Sequence, residues 1–105
     1  MNEQYEMKTY YLVFLKKDPN RTQDSASASK IQEQHLAHLT KMYMDKKMCM
    51  AGPLSDGVEI RGICVYNTAN LEEAKSLAQA DPAVKSGRLI LEIHPWYAAK
   101  GSFLP

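Results

Sequence analysis

The succession of strands and helices that this sequence predicts indicates an α+β fold, the ferredoxin-like βαββαβ sandwich. Four short segments rich in apolar residues alternate in the right order with two segments of helical period. Asp56-Gly57, between the second and third strands, is typical of a hairpin turn. The connections are short, so right-handed crossovers predict one antiparallel four-stranded sheet with both helices on one face.

The first strand, "MKTYYLVFLKK" (7–17), is rich in β-branched and aromatic residues and is apolar on both faces. The two faces carry Tyr10, Leu12 and Phe14 on one side and Tyr11, Val13 and Leu15 on the other. A strand with one wet face would alternate apolar and polar residues. Because the helices cover one face only, we expect a second copy of the chain to cover the other in a two-fold homodimer.

Residues 18–29 have a loop composition, and the first helix is expected over 30–46. Ser27 or Ser29 is the predicted N-cap, and Ser29 with Gln32 fits a capping box. At about 100° per residue, one stripe of this helix faces the core. That stripe holds Ile31, His35, Leu39, Met42 and Tyr43.

The second strand is expected over 48–53 and the third over 58–66. In the third, Ile60, Gly62, Cys64 and Tyr66 share one face, with Arg61, Ile63 and Val65 on the other. We expect Cys49 and Cys64 to be buried free thiols, with a cross-strand disulfide as the alternative.

The second half of the fold begins with a helix over 67–80, capped by Asn70 with Glu73 and ended by Pro82. The segment "DPAVKSG" reads as a turn, and the last strand covers 88–96. The chain therefore predicts a single domain over 1–105, with a core from about 8 to 97 and a C-terminal tail over 98–105.

Composition excludes several classes of function. The 105 residues carry a formal net charge of +1 with scattered basic side chains, so we expect no nucleic-acid partner. No apolar run has the length of a membrane span, so no membrane partner is expected either. The expected compartment is the cytoplasm by default, with export by a removed signal peptide left open.

His35 and His38 lie three residues apart in "HLAHL" but are not equivalent on the helical wheel. His35 falls inside the apolar stripe, and His38 at its edge. A metal site would need at least a third ligand in addition to these two histidines. Cys49, Asp81 and His94 are candidates, but their spacing in the sequence matches no metal-binding signature, so we expect no metal site. His38 is expected to be a solvated residue. His35 is either a half-buried histidine satisfied by a backbone carbonyl or a functional one.

Asp81 allows two interpretations. Before Pro82 it is a ready N-cap. It could also accept a hydrogen bond from His35, because the turn after the second helix lies on the same side of the sheet as the first. A carboxylate that accepts one imidazole N–H fixes the tautomer and stabilises the imidazolium that forms during proton transfer.

The end of the second strand, Gly52-Pro53, lies near the helix layer, where it serves the turn or contacts a ligand. Arg21, Arg61 and Arg88 are possible carboxylate binders, since a guanidinium pairs with a carboxylate through two hydrogen bonds. Each is more often a surface residue.

Taken together, "HLAHL", "MAGPL", "RGICVY", "LEEAKSLAQADPAVKSG" and "EIHPW" resemble the YCII-related domain family, of the dimeric α+β barrel superfamily. The resemblance spans roughly residues 8–97. It implies a subunit that dimerises through its sheet and a cavity with a His-Asp dyad, which falls on His35 and Asp81. His38 inherits no role.

The resemblance further implies a small-molecule enzyme without a cofactor, a lyase or isomerase on a carboxylated or enol-type substrate bound near His35. This rests on a dehydrochlorinase relative in aromatic degradation and on muconolactone isomerases of the same superfamily fold. Arg21, Gly52 and Pro53 would contact the substrate. The alternative is a non-catalytic dimer that binds a small metabolite. Two features depart from the family's pattern. The position after Asp81-Pro82 usually holds a larger aromatic residue, and here it holds Ala83. The loop over 17–29 is longer than in compact members.

Overall fold

A computed structural model describes residues 5–102 and 104–105. The elements follow the predicted order, with one short helix added. They are β1 (Met7–Lys17), α1 (Ser25–Met44), β2 (Met48–Pro53), β3 (Ile60–Tyr66), α2 (Leu71–Gln79), α3 (Pro82–Lys85) and β4 (Leu89–Ala99).

The four strands form one antiparallel sheet in the order β2-β3-β1-β4, so β1 and β3 are central. Both long helices pack on one face of this sheet, which confirms the predicted α+β ferredoxin-like fold. We call the helix-covered side the inner face and the other side the outer face. The inner-face core is a single cluster of Val13, Leu15, Met42, Met48, Cys64, Tyr66, Ala74 and Ala78.

Helix α1 begins at Ser25, five residues earlier than the predicted start at residue 30. Its N-cap is Asp24, whose Oδ1 accepts a hydrogen bond from the Ser27 N–H at 2.8 Å. The prediction of Ser27 or Ser29 as the cap was therefore wrong. The run "SASAS" was assigned to the loop because serine favours caps and turns, but a capped first turn with two alanines accommodates it.

The core-facing stripe of α1 is narrower than predicted. His35 and Met42 are buried and Leu39 is half-buried against the core, but Tyr43 is 61% exposed. One residue beyond Met42 is a rotation of about 100°, which carries Tyr43 off the side that faces the sheet.

Helix α2 is capped as predicted. The Asn70 side chain accepts from the Glu73 N–H at 2.8 Å, and the Glu73 carboxylate accepts from the Ala69 N–H at 2.9 Å. The segment predicted as a turn after α2 instead forms the one-turn helix α3. It closes at Gly87, whose φ of 81° only glycine adopts without strain.

Strand β3 differs from its predicted alternation. Lys16 pairs with Ile60 and Leu15 pairs with Gly62, so a β-bulge leaves Arg61 without a partner on β1. Ile60 thereby shares the outer face with Lys16, whereas the sequence placed it with Gly62. An alternating pattern cannot reveal a bulge, although a glycine inside a strand is the usual sign of one.

The outer face stays apolar over most of its length. It carries Tyr10, Leu12, Phe14, Ile63, Val65 and Trp96. Trp96 is 47% exposed. Cys49 lies on this side and is exposed, while Cys64 is buried on the inner face, and both thiols are free. The prediction of two buried cysteines was wrong for Cys49, which sits on an edge strand.

Candidate active site

His35 and Asp81 meet in the layer between α1 and the sheet. The His35 Nδ1–H donates to Asp81 Oδ2 across 2.6 Å, and the residues are 8% and 2% exposed. The inner stripe of α1 turns the imidazole toward the sheet. The end of α2 and the start of α3 bring the carboxylate to it from a position 46 residues later in the chain. The two candidates from the sequence are therefore in direct contact.

Asp81 fulfils both interpretations at once. One oxygen, Oδ1, accepts from the Ala83 N–H at 2.9 Å and caps α3, with Pro82 at the first helical position. The other oxygen, Oδ2, accepts from His35. Because the cap fixes the carboxylate, Asp81 is an oriented acceptor rather than a mobile one. A carboxylate held in this way dictates which imidazole nitrogen carries the proton.

A cavity of about 390 Å³ opens beside this pair. His35 forms part of its wall, and since Nδ1 is bonded to Asp81, Nε2 is the ring nitrogen left for a ligand. No hydrogen bond to Nε2 occurs within the described residues 5–102 and 104–105. Such a volume suits a small organic molecule of a few to about a dozen heavy atoms.

The remaining predicted contacts also reach the cavity. Arg21, from the loop after β1, and Gly52 and Pro53, at the end of edge strand β2, all line it. Nothing lies within 4 Å of the position that a Gly52 Cβ would take, so this glycine is not required by packing. Gly62 has less space around it, since a Cβ added there would lie 3.1 Å from the Gly52 carbonyl oxygen.

The cavity wall contains residues that the sequence did not assign to a site. Arg61 and Arg88 line it together with Gly62 and Cys64. Both arginines were weighed as carboxylate binders and set aside as surface residues. The glycine inside β3 was the available signal for Arg61, because a glycine there suggests the bulge that redirects its neighbour.

Arg21 lies in a strongly positive environment. Its Nε–H donates to the Arg88 carbonyl oxygen at 2.9 Å. Partial burial lowers the pKa of Arg21, and the positive charges of Arg88 and Arg61 lower it further. The guanidinium groups of Arg88 and Arg61 thus act on Arg21 in the wall of the same cavity.

Cys64 is not a nucleophile in this site. Burial raises the pKa of its thiol to about 12, with the Asp81 charge adding to the effect. A thiolate is the reactive form of cysteine. Cys64 therefore contributes an apolar part of the wall, and His35 is an imidazole in the same wall.

His38 differs from the solvated residue that the sequence predicted. It is half-buried beside α2, and its Nε2 is buried without a partner within residues 5–102 and 104–105. Burial lowers the pKa of His38 below its ordinary value of 6.5. His38 does not line the cavity, so the two histidines of "HLAHL" lie in different environments.

Of the three candidate third ligands for a metal, Asp81 contacts His35, whereas His94 and Cys49 lie apart from it. His94 is on the outer face, where its Nε2 pairs with Glu92 at 2.8 Å, and Cys49 is on the same face. In the part of the chain that the structure describes, no cluster of three or more His, Cys, Asp or Glu side chains could hold a metal ion. Of the described helices, none is both long and apolar enough to cross a membrane.

Comparison with known proteins gives a curated relative and several solved structures, one of which is a dehydrochlorinase. The chain is 36% identical over 66 residues to the uncharacterized protein YjpA of Bacillus subtilis strain 168, covering 63% of this chain and 75% of the relative. The fold is similar to that of 5-chloro-2-hydroxyhydroquinone dehydrochlorinase from Burkholderia phenoliruptrix AC1100, solved with 2,5-dihydroxybenzoquinone. The TM-score is 0.58 at 20% identity, covering 83% of this chain and 92% of that one.

The family predicted from the motifs is confirmed by a direct match. The YCII-related domain matches this sequence over residues 9–97, a range that includes at least part of every strand and both members of the His35–Asp81 pair. The chain therefore belongs to the YCII-related domain family.

Proposed function

We propose that this protein is a small-molecule enzyme that uses His35 and Asp81 for proton transfer, as a lyase or isomerase on a carboxylated or enol-type substrate. The observation that carries the proposal is the 2.6 Å contact between His35 Nδ1 and Asp81 Oδ2 in the wall of a cavity. A base oriented by a buried carboxylate, with its second nitrogen facing an open space, is the arrangement that general acid–base catalysis needs.

The chemistry follows from the positions of the two nitrogens. His35 Nε2 takes a proton from a carbon next to a substrate carbonyl, and the electron pair of that C–H bond forms an enolate. Asp81 holds the imidazole in place and stabilises the imidazolium. Return of the proton to another carbon completes an isomerisation. Departure of a leaving group from the neighbouring carbon, with the electron pair of its bond, completes an elimination.

Substrate contacts are assigned to the other cavity residues. Arg21 pairs with a carboxylate or with the enolate oxygen, and Gly52 and Pro53 form the wall at the edge of the sheet. The similar fold solved with 2,5-dihydroxybenzoquinone supports an enol-type ligand of this size. The active state needs no cofactor in this scheme, since His35 supplies both the base and the acid.

We propose that the protein acts as a homodimer joined through its outer face. The apolar side chains on that face are more extensive than an isolated sheet needs, and Trp96 is 47% exposed. A two-fold pairing of outer faces would remove them from water while leaving both inner-face cavities accessible. The sheet itself lies between the cavity and that interface.

Deuterium incorporation from D2O, followed by proton NMR, tests the catalytic proposal without knowledge of the product. The panel would contain 2-oxo acids, other carboxylated enols and hydroxylated quinols. The wild-type protein should exchange a C–H next to the carbonyl of at least one compound. His35→Gln should slow that exchange by about 100-fold or more, the usual contribution of a general base.

His38→Gln is the matched control, because it replaces the other histidine of the same helix at a position outside the cavity. Equal exchange by wild type and His35→Gln would contradict the catalytic proposal. Saturable binding of a panel compound without exchange would favour a non-catalytic metabolite-binding dimer, which the same cavity would serve.

A further inference from the structure

We propose that the substrate of this cavity is a small dicarboxylate, held by Arg21 and Arg88 through one carboxylate and by Arg61 through the other. The inference deepens the proposed function and rests on it for the identity of the site. It assigns Arg61 and Arg88 a substrate-binding role and sets the charge of the ligand at −2.

Arg21 and Arg88 form one preorganised pair. The Arg88 carbonyl oxygen accepts from the Arg21 Nε–H at 2.9 Å, and within residues 5–102 and 104–105 the terminal nitrogens of Arg21 make no hydrogen bond. A hydrogen bond fixes the loop that carries Arg21, since Gln23 Nε2 donates to the Ser86 carbonyl oxygen at 2.7 Å. Arg21 and Arg88 are both half-buried residues that line the cavity. Fixed donors of this kind bind a carboxylate at a low entropic cost.

Arg61 reaches the cavity because of the β-bulge. Regular alternation would send its side chain to the outer face, opposite to Gly62. The shift of register between Leu15 and Lys16 leaves Arg61 outside the ladder, and it lines the cavity on the inner side. Its Nη1 donates to the Gly57 carbonyl oxygen at 2.8 Å, which anchors the guanidinium. A bulge that redirects a side chain beside a site is a recurrent device.

The positive charge of this cluster is not neutralised by the described protein. Within residues 5–102 and 104–105, no ion pair joins Arg21, Arg61 or Arg88 to a carboxylate. Asp18 attracts Arg21, but this is the weakest of the influences on it, and Asp18 Oδ1 accepts from the Asn20 N–H. Three like charges around a partly buried cavity repel one another, and a bound anion would relieve that repulsion.

The spacing of the arginines favours two separate carboxylates over one phosphate group. Arg61 is on β3 and Arg88 directly precedes β4, and these strands flank β1 on opposite sides. Strands two positions apart lie about 10 Å from each other. Arg61 therefore enters the cavity from the strand on one side of β1, and Arg88 with Arg21 from the other side, an arrangement that suits the two ends of a short diacid.

Titrations followed by amide NMR at constant ionic strength test the proposal. The probes are succinate and glutarate, butyrate as the matched monoacid, and inorganic phosphate. The wild-type protein should bind one of the diacids at least about tenfold more tightly than butyrate, because a second charge-assisted contact is made. Arg61→Gln should remove this advantage and leave butyrate binding unchanged. Arg88→Gln should weaken the binding of all three organic acids.

Lys75→Gln, an exposed position on α2, is the control of equal charge change and should behave as wild type. His35→Gln should keep the preference for diacids, so a failure of the catalytic proposal is distinguishable from a failure of this one. Equal affinity for diacid and monoacid, no saturable diacid binding, tighter binding of phosphate than of either diacid, or an equal loss in Lys75→Gln would each overturn the inference.

Discussion

The two faces of the sheet are both apolar, but a single chain completes only one of them. On the inner face, Val13 and Cys64 are at most 1% exposed beneath the helices, and the polar pair His35 and Asp81 is enclosed with them. On the outer face, Trp96 keeps 47% of its surface exposed. The inner face holds a packed core with a cavity in it, and the outer face is the surface that we propose a second copy of the chain covers.

This difference indicates how the fold divides its tasks. The buried carboxylate of Asp81 is tolerated because both of its oxygens accept hydrogen bonds, from Ala83 and from His35. Among the described residues, the outer face has no such buried pair, and an ionic contact there, that of His94 with Glu92, is exposed. Chemistry and assembly are therefore expected to respond to different substitutions, and variants on each face test that separation.

The largest effect is expected from Asp81→Ala on the inner face. It removes the cap of α3 and leaves His35 without its partner, so the free energy of unfolding should fall by about 2–4 kcal/mol. Chemical denaturation measures the change, and deuterium exchange should be lost. Asp81→Asn keeps a capping oxygen and should fold better than Asp81→Ala while still failing in exchange. Full exchange activity in Asp81→Asn would refute the orienting role.

The second effect concerns the outer face. Leu12→Lys, on central strand β1, should weaken dimerisation by at least about 100-fold, because a buried and unpaired charge costs several kcal/mol. Sedimentation velocity over a range of concentrations measures it. Lys17→Gln, an exposed change at the end of the same strand, is the control. A monomeric wild-type protein, or an unaltered dimer in Leu12→Lys, would contradict the proposal that the outer face is the dimer interface.

A smaller effect is expected where the cavity can be filled. Ala83 is 3% exposed and lines the cavity, so Ala83→Phe should reduce the space beside His35. The free energy of unfolding should fall by about 1–3 kcal/mol, because the larger side chain overpacks this buried position. Binding of six-membered-ring compounds should weaken more than binding of butyrate, as measured by NMR titration. Unchanged binding of both classes would place the ligand elsewhere.

The smallest effect concerns pH and His38. Because burial lowers the pKa of His38, the unfolded chain takes up its proton first as the pH falls below about 6.5. The free energy of unfolding should therefore decrease from pH 7 toward pH 5.5, and less steeply in His38→Gln. Urea denaturation at several pH values measures both slopes. Identical slopes would contradict the buried state of this histidine.

The fold could be predicted because the two helical periods, the Asp56-Gly57 turn and the Asn70 cap are local signals. The start of α1 was missed, since a serine-rich run serves a loop and a capped first turn equally well. Arg61 was missed because a bulge depends on the pairing of β1 with β3, which no single segment encodes. His35 was placed on the inner side by periodicity, but its contact with Asp81 joins elements 46 residues apart, which the pattern left open.

The most direct test of the account is the tautomer of His35. A long-range proton–nitrogen NMR spectrum of the neutral imidazole distinguishes a protonated Nδ1 from a protonated Nε2. The account predicts a proton on Nδ1, held by Asp81, and an unprotonated Nε2 whose resonance moves when succinate or an exchanging substrate binds. A proton on Nε2, or an Nε2 resonance that no ligand moves, would contradict the assignment of His35 as the base in the cavity.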